Sequence, residues 1–128
     1  MASAGKIRLL IAEDNAVYRH ALRKILEAHP NLEVVGEATD GEDAILRAEE
    51  LKPTIILMDI NMPRLNGIAA TRRIKENHDS MTVIGLSVHT ERDFVDAMLD
   101  AGAVALLSKD MASEELYPAI ERAMARDE

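Results

Sequence analysis

The sequence predicts an α/β protein built on a doubly wound, five-stranded parallel sheet, and three observations carry that reading. Short apolar runs alternate with amphipathic stretches five times along the chain, the connections between them are short, and no internal repeat or low-complexity tract interrupts the alternation. Consecutive parallel strands need right-handed crossovers, and the intervening helices supply them. Among the strand orders open to such a sheet, 2-1-3-4-5 is the common one, the flavodoxin-like (βα)5 arrangement, with a ligand site where strands 1 and 3 diverge.

Each element has its own signal. Ile7–Ala12 is an apolar run, and residues 16–28 carry Val17, Ala21, Ile25 and Ala28 at helical spacing until His29-Pro30-Asn31 breaks the pattern. Leu32–Ala38 is strand-like, Asp40-Gly41 reads as a turn, and residues 42–51 form a helix with Ala44, Ile45 and Ala48 facing inward, closed off by Pro53. Residues 55–58 are uninterruptedly apolar, as in a strand covered on both faces, and residues 66–77 form the next helix. Residues 82–86 and 104–107 repeat the strand pattern, separated by a helix over residues 91–101 that Gly102 stops. The last helix is expected to start at Ser113 as N-cap, with Glu115 and Leu116 behind it and Pro118 in its first stretch.

At 128 residues and 14.1 kDa the chain is expected to form a single domain over residues 1–128 with its core at about residues 7–125. No stretch approaches the roughly 18 to 20 apolar residues of a membrane span, and residues 1–6 hold no apolar signal-peptide core, so a cytoplasmic protein without membrane contact is expected. The absence of cysteine removes disulfides, thiol catalysis and thiolate metal sites. A net charge of -8 and a pI near 5.0 oppose nucleic-acid binding by this segment.

In a parallel sheet the residues just past the strands' C-terminal ends gather along one edge. Here these are Glu13-Asp14 after strand 1, Asp59 at strand 3, Ser87 at strand 4, and Ser108-Lys109 at strand 5. Left alone, such carboxylates repel one another, so a cation belongs among them; Mg²⁺ suits oxygen ligands and keeps several waters. Asp59 can then act as nucleophile toward phosphorus, with the metal and Lys109 neutralising the transferring oxygens and Ser87 donating a hydrogen bond to one of them. Taken singly, these residues have ordinary uses: Asp14 or Asn15 as a helix cap, Ser87 as a strand end, Lys109 as a solvated cation. Their convergence on one edge is what favours chemistry.

With these residues in place the chain resembles, from about Ile7 to Ala125, the receiver domains of two-component response regulators, the CheY-like superfamily. The resemblance implies that Asp59 is the phosphoacceptor, that Glu13, Asp14 and Asp59 bind Mg²⁺ together with the backbone carbonyl of Asn61, and that Ser87 and Lys109 are the family's hydroxyl and lysine. The segment from Met58 through Asp59, Ile60, Asn61 and Met62 to Pro63, with Gly67 beyond it, looks like the family's loop after strand 3. Gly102-Ala103 and the ending Leu107-Ser108-Lys109-Asp110 look like the NarL/FixJ (LuxR-type) subgroup, whose members usually carry a helix-turn-helix DNA-binding domain after the receiver. The resemblance therefore implies a sensor histidine kinase as phosphodonor, possible homodimerisation on phosphorylation, and a helix 4, strand 5 and helix 5 face that controls an output domain, in transcription regulation. No output domain is present in this sequence, so a stand-alone regulator acting through protein–protein contacts is the alternative. Two departures stand out: Leu106 occupies the switch position that is commonly aromatic, and Asp110 follows the lysine where many receivers have proline. His89, two residues past Ser87, stands where the family, together with Asn61, sets how long the acyl phosphate survives water.

Other features read as structural. His20, His29, His78 and His89 share no ligand spacing, the seven methionines are core filler, and Thr71, Arg72, Arg73 and Lys75 make a solvated basic face. Three competing functions are weaker. A small Mg²⁺-dependent phosphatase with an aspartate nucleophile would want an acid two residues past it, where Asn61 stands. A flavodoxin-like nucleotide or flavin binder would want a Gly/Ser/Thr-rich phosphate loop after strand 1, where Glu13-Asp14-Asn15 would repel phosphate. A degenerate receiver would lack some of the five key residues, all of which are present.

Overall fold

The structure, a computed structural model, describes residues 5–126; what the sequence implies for residues 1–4 and 127–128 lies outside them. The elements run β1 (Ile7–Ala12), α1 (Ala16–Glu27), β2 (Leu32–Ala38), α2 (Gly41–Leu51), β3 (Ile55–Asp59), α3 (Gly67–Asn77), β4 (Thr82–Ser87), α4 (Arg92–Ala101), β5 (Ala105–Ser108), a 3-10 turn (Lys109–Met111) and α5 (Ala112–Arg126). All strand pairs are parallel and the sheet order is β2-β1-β3-β4-β5, as the sequence predicts.

Side chains alternate across the strands, and the two faces feed separate cores. Leu10, Ala12, Ile56, Met58 and Val83 pack with Ala44 and Ala48 of α2, Ala70 and Ile74 of α3, and Met98 of α4. Leu9, Ile11, Ile55, Leu57, Ile84 and Leu86 point the other way, onto Leu22 and Leu26 of α1 and Leu116 and Ile120 of α5. Residues 55–58 are continuously apolar because both faces of β3 are covered. Each such Leu or Ile contributes about 1.5–3 kcal/mol by leaving water.

Helix starts follow capping chemistry. The side chains of Asn15, Asp40 and Asn66 accept from the backbone N–H of Tyr18, Asp43 and Ala69 at 2.9, 2.7 and 2.9 Å. Asn15, not Asp14, therefore caps α1, which frees Asp14 from that role. Asp40-Gly41 is less a free turn than the start of α2, with Asp40 as N-cap and Gly41 as first residue. At Gly102 the left-handed φ of 116° ends α4 as expected.

Two expectations need correction. Ser113 is not the cap of the last helix: the backbone is already helical from Lys109, so the capping oxygen sits upstream, where Ser108 Oγ accepts from the Asp110 N–H at 3.2 Å. Pro118 consequently lies in the interior of α5, where it removes one backbone donor. Thr71 is not part of a solvated face; it is fully buried, its hydroxyl 3.9 Å from Met98 Sδ at the contact of α3 with α4.

Candidate functional site

The C-terminal edge of β1, β3 and β5 brings the predicted charged residues together. Past β1 the Glu13 N–H stays in the ladder, donating to the Ala38 carbonyl at 2.9 Å, which turns the Glu13 side chain inward while Asp14 faces solvent. Glu13 is 1% exposed. Its Oε2 accepts from the Asn15 N–H at 3.0 Å, whereas Oε1 is buried with no hydrogen-bond partner and has only the Lys109 ammonium 2.8 Å away, out of hydrogen-bonding alignment. Asp59 ends β3 and is 2% exposed; its Oδ1 accepts from the Asn61 N–H at 3.3 Å and lies 3.3 Å from Lys109 Nζ. One carboxylate oxygen from each of Glu13, Asp14 and Asp59 falls within 4.8 Å of the others.

The electrostatics follow from this crowding. Burial, then the neighbouring Glu13 charge, pushes the Asp59 carboxyl up to about 7, against the pull of Lys109 and of the Asn61 N–H. Burial lowers the Lys109 pKa, but Glu13 and Asp59 more than offset this and raise it above that of a free lysine. With Glu13, Asp14 and Asp59 sharing the single Lys109 ammonium, the cluster has more carboxylates than cations and is short of positive charge. Hard oxygen donors on two adjacent strands fit a divalent cation such as Mg²⁺.

Local backbone packing fixes the position of Asp59. A Cβ on Gly67 would stand 2.0 Å from the Asp59 carbonyl oxygen, so only glycine lets α3 begin against the end of β3. The loop between β3 and α3 is tied at its far side to α2. There Arg64, with a left-handed φ of 67°, donates from Nε to buried Asp40 at 2.8 Å, and a Cβ on Gly41 would overlap the Leu65 carbonyl. Arg64 and Asp40 carry no spacing signal that would reveal this tie.

Ser87 ends β4, fully buried, and its Oγ accepts from the His89 N–H at 2.9 Å. His89 in turn stacks on Phe94 of α4 with ring centroids 5.4 Å apart. Leu106 is half-buried and packs with Met98 over Gly85, where an added Cβ would come within 2.8 Å of the Leu106 side chain and 2.7 Å of the Met98 side chain. Sequence reasoning also missed Tyr18, whose ring lies under the Lys109 ammonium and whose hydroxyl donates to the Lys109 carbonyl at 3.0 Å. Its rarity was the available signal, since the chain has only two Tyr, one Phe and no Trp. An open cavity of about 440 Å³ lined by Lys75, Asp79, Thr82 and Arg126 lies at the opposite edge of the sheet and includes none of these residues.

Residues 9–121 match the family described as the response regulator receiver domain. The chain belongs to this family. Receiver relatives include the transcriptional regulatory protein DegU of Brevibacillus brevis, 37% identical over 116 residues, which are 91% of this chain and 49% of that protein. The response regulator domain of Thermotoga maritima CheB superposes with a TM-score of 0.87 at 34% identity, covering 94% of this chain and 97% of that one. A LuxR-family two-component response regulator from Aurantimonas sp. gives 0.90 at 30% identity, covering 94% of this receiver and 86% of the other chain. The chain spans about half the length of the curated relatives DegU, GacA and PdtaR. Among the described residues no helix of this receiver is long and apolar enough to cross a membrane.

Proposed function

We propose that this receiver is the phosphorylation-activated switch of a two-component system, in which a sensor histidine kinase gives a phosphoryl group to Asp59. The observation that carries the reading is a buried carboxylate held between two further acids and one lysine at the end of the central strand. An Asp59 oxygen attacks phosphorus, the donor's bond to phosphorus breaks, and the electron pair leaves with the donor, which recovers a proton from solvent. Lys109, already within reach of Asp59, turns from the carboxylate to the new phosphoryl oxygens, and Ser87 offers its hydroxyl hydrogen to another of them. Glu13, Asp14 and Asp59, with the Asn61 carbonyl, would hold Mg²⁺, which supplies charge neutralisation at the transferring oxygens. Asn61 leaves no general acid two residues past Asp59, which favours a switch over a phosphatase that turns over.

The relatives' names as transcriptional regulators support an output in transcription, through the face formed by α4, β5 and α5 and a DNA-binding domain or partner beyond this segment. Dimerisation on phosphorylation and a cytoplasmic setting accompany this reading. The test is incubation with acetyl phosphate, with and without Mg²⁺, followed by intact mass. A single phosphoryl adduct that requires Mg²⁺ is expected; a protein that stays unmodified at saturating donor and Mg²⁺ contradicts the reading.

A further inference from the structure

Lys109 serves two ends that pull apart. Before transfer it balances Glu13 and Asp59 at 2.8 and 3.3 Å, and afterwards it must meet phosphoryl oxygens that were not there. A flexible four-carbon side chain on a turn has many other places to go, and each one lowers the fraction of molecules ready to react. Among the described residues one side chain holds it from outside the acidic cluster. Tyr18, on the first turns of α1, lies with its ring centroid 4.8 Å from Lys109 Nζ and its hydroxyl 3.0 Å from the Lys109 carbonyl oxygen, across 91 residues of sequence.

We propose that Tyr18 is a positioning residue for phosphoryl transfer, holding Lys109 by its backbone and its ammonium together so that the charge stays aimed at Asp59. The hydroxyl fixes the start of the 3-10 turn, where Lys109 is the first residue. The ring face attracts the cation without competing for its hydrogens, so the N–H groups remain free to move from carboxylate to phosphoryl oxygen. A carboxylate in the same place would bind the ammonium more tightly but would also repel the incoming group. The hydroxyl is a donor throughout the physiological range, as any phenol is, and burial, then Glu13, Asp110 and Asp59, push its pKa further up, to about 12. Tyr18 itself touches neither Asp59 nor the metal-site acids by hydrogen bond among the described residues, so its effect runs through Lys109.

The inference rests on the proposed function, and the experiment separates the two. Rates of adduct formation with acetyl phosphate are measured across Mg²⁺ concentrations in the parent, Tyr18→Phe and Tyr18→Leu proteins, with melting temperatures as a check on folding. Tyr18→Leu removes both ring and hydroxyl and is expected to lower the maximal rate about thirtyfold, roughly tenfold for a partly desolvated cation–ring contact and threefold for the hydrogen bond, at an unchanged Mg²⁺ midpoint. Tyr18→Phe keeps the ring and is expected to lose only about threefold, the share of one hydrogen bond. Should Tyr18→Leu fail to fold, the threefold loss in Tyr18→Phe at a constant Mg²⁺ midpoint carries the test. Parent-like maximal rates in the folded variants, or a Mg²⁺ midpoint that shifts along with the rate, overturn the positioning role and leave the phosphoacceptor reading intact. A parent protein that forms no adduct overturns both.

Discussion

Asp59 is placed where a carboxylate is least comfortable, and that placement has consequences for pH. With burial and Glu13 pushing it up to about 7, the metal-free site holds, below that pH, a proton that an incoming cation must displace. Mg²⁺ affinity should therefore rise as pH increases through 7, and a titration followed by amide shifts at pH 6 and pH 8 checks it; equal affinities would contradict the assigned environment. Without metal, the folded state binds this proton more tightly than the unfolded chain does, so the stability it contributes is fully present only below the unfolded pKa of 3.8 and is lost as pH rises from there through about 7. Asp59→Asn should accordingly stabilise the metal-free domain at pH 8 by about 1–3 kcal/mol in urea unfolding. A destabilised variant would mean that the carboxylate is better compensated than its neighbours indicate. At this scale the sequence placed Glu13, Asp14, Asp59, Ser87 and Lys109 along one sheet edge because each follows or ends a strand of one parallel sheet. Tyr18 was hidden because its partner is remote in sequence, and helical periodicity treats an aromatic on α1 as one more packing residue.

Helix starts were legible where the cap directly precedes the helical pattern and misread where another turn intervenes. Asn66 and Asp40 each cap within three residues, but the start of α5 was misread because a 3-10 turn runs straight into it from Ser108. The start of α4 is held in another way. Its N-cap Glu91 makes no side-chain capping bond, and the loop before it is held instead by the His89 N–H on Ser87 Oγ and the His89–Phe94 stack. If Ser87 turns toward a phosphoryl group, that hydrogen bond to the loop must be remade, and α4 lies next in line. Leu106 has no ring to swing inward, so α4 should carry most of the change. Amide shifts with a phosphoryl mimic should move over Arg92–Ala101 in the parent and in Leu106→Tyr, and far less in Ser87→Ala. Equal movement in Ser87→Ala would show that the hydroxyl is not the link.

Over the whole molecule, the parallel sheet and its two-sided core were legible because continuous apolar runs and inward helix faces leave a doubly wound sheet as the consistent packing, whereas the strand order is the common one for such a sheet and no residue pattern dictates it. The same topology sets charge repulsion against folding: strands that stabilise each other through their apolar faces also force three carboxylates to one edge. A cation that binds only the folded arrangement should stabilise the domain by mass action, by about 1–3 kcal/mol at saturating Mg²⁺. Asp14→Ala, a change at an exposed side chain, should abolish that gain with little effect on the metal-free melting temperature. A parent melting temperature indifferent to millimolar Mg²⁺ would speak against the site. The proposed function stands or falls on one atom group, the Asp59 carboxylate, as the acceptor of phosphorus. Reduction of the acetyl phosphate-treated protein with borohydride, which converts an acyl phosphate to an alcohol, followed by peptide mass mapping, locates it directly. The account predicts one converted residue, Asp59, and none in Asp59→Asn; conversion at Glu13 or Asp14 instead, or undiminished modification of Asp59→Asn, would contradict it.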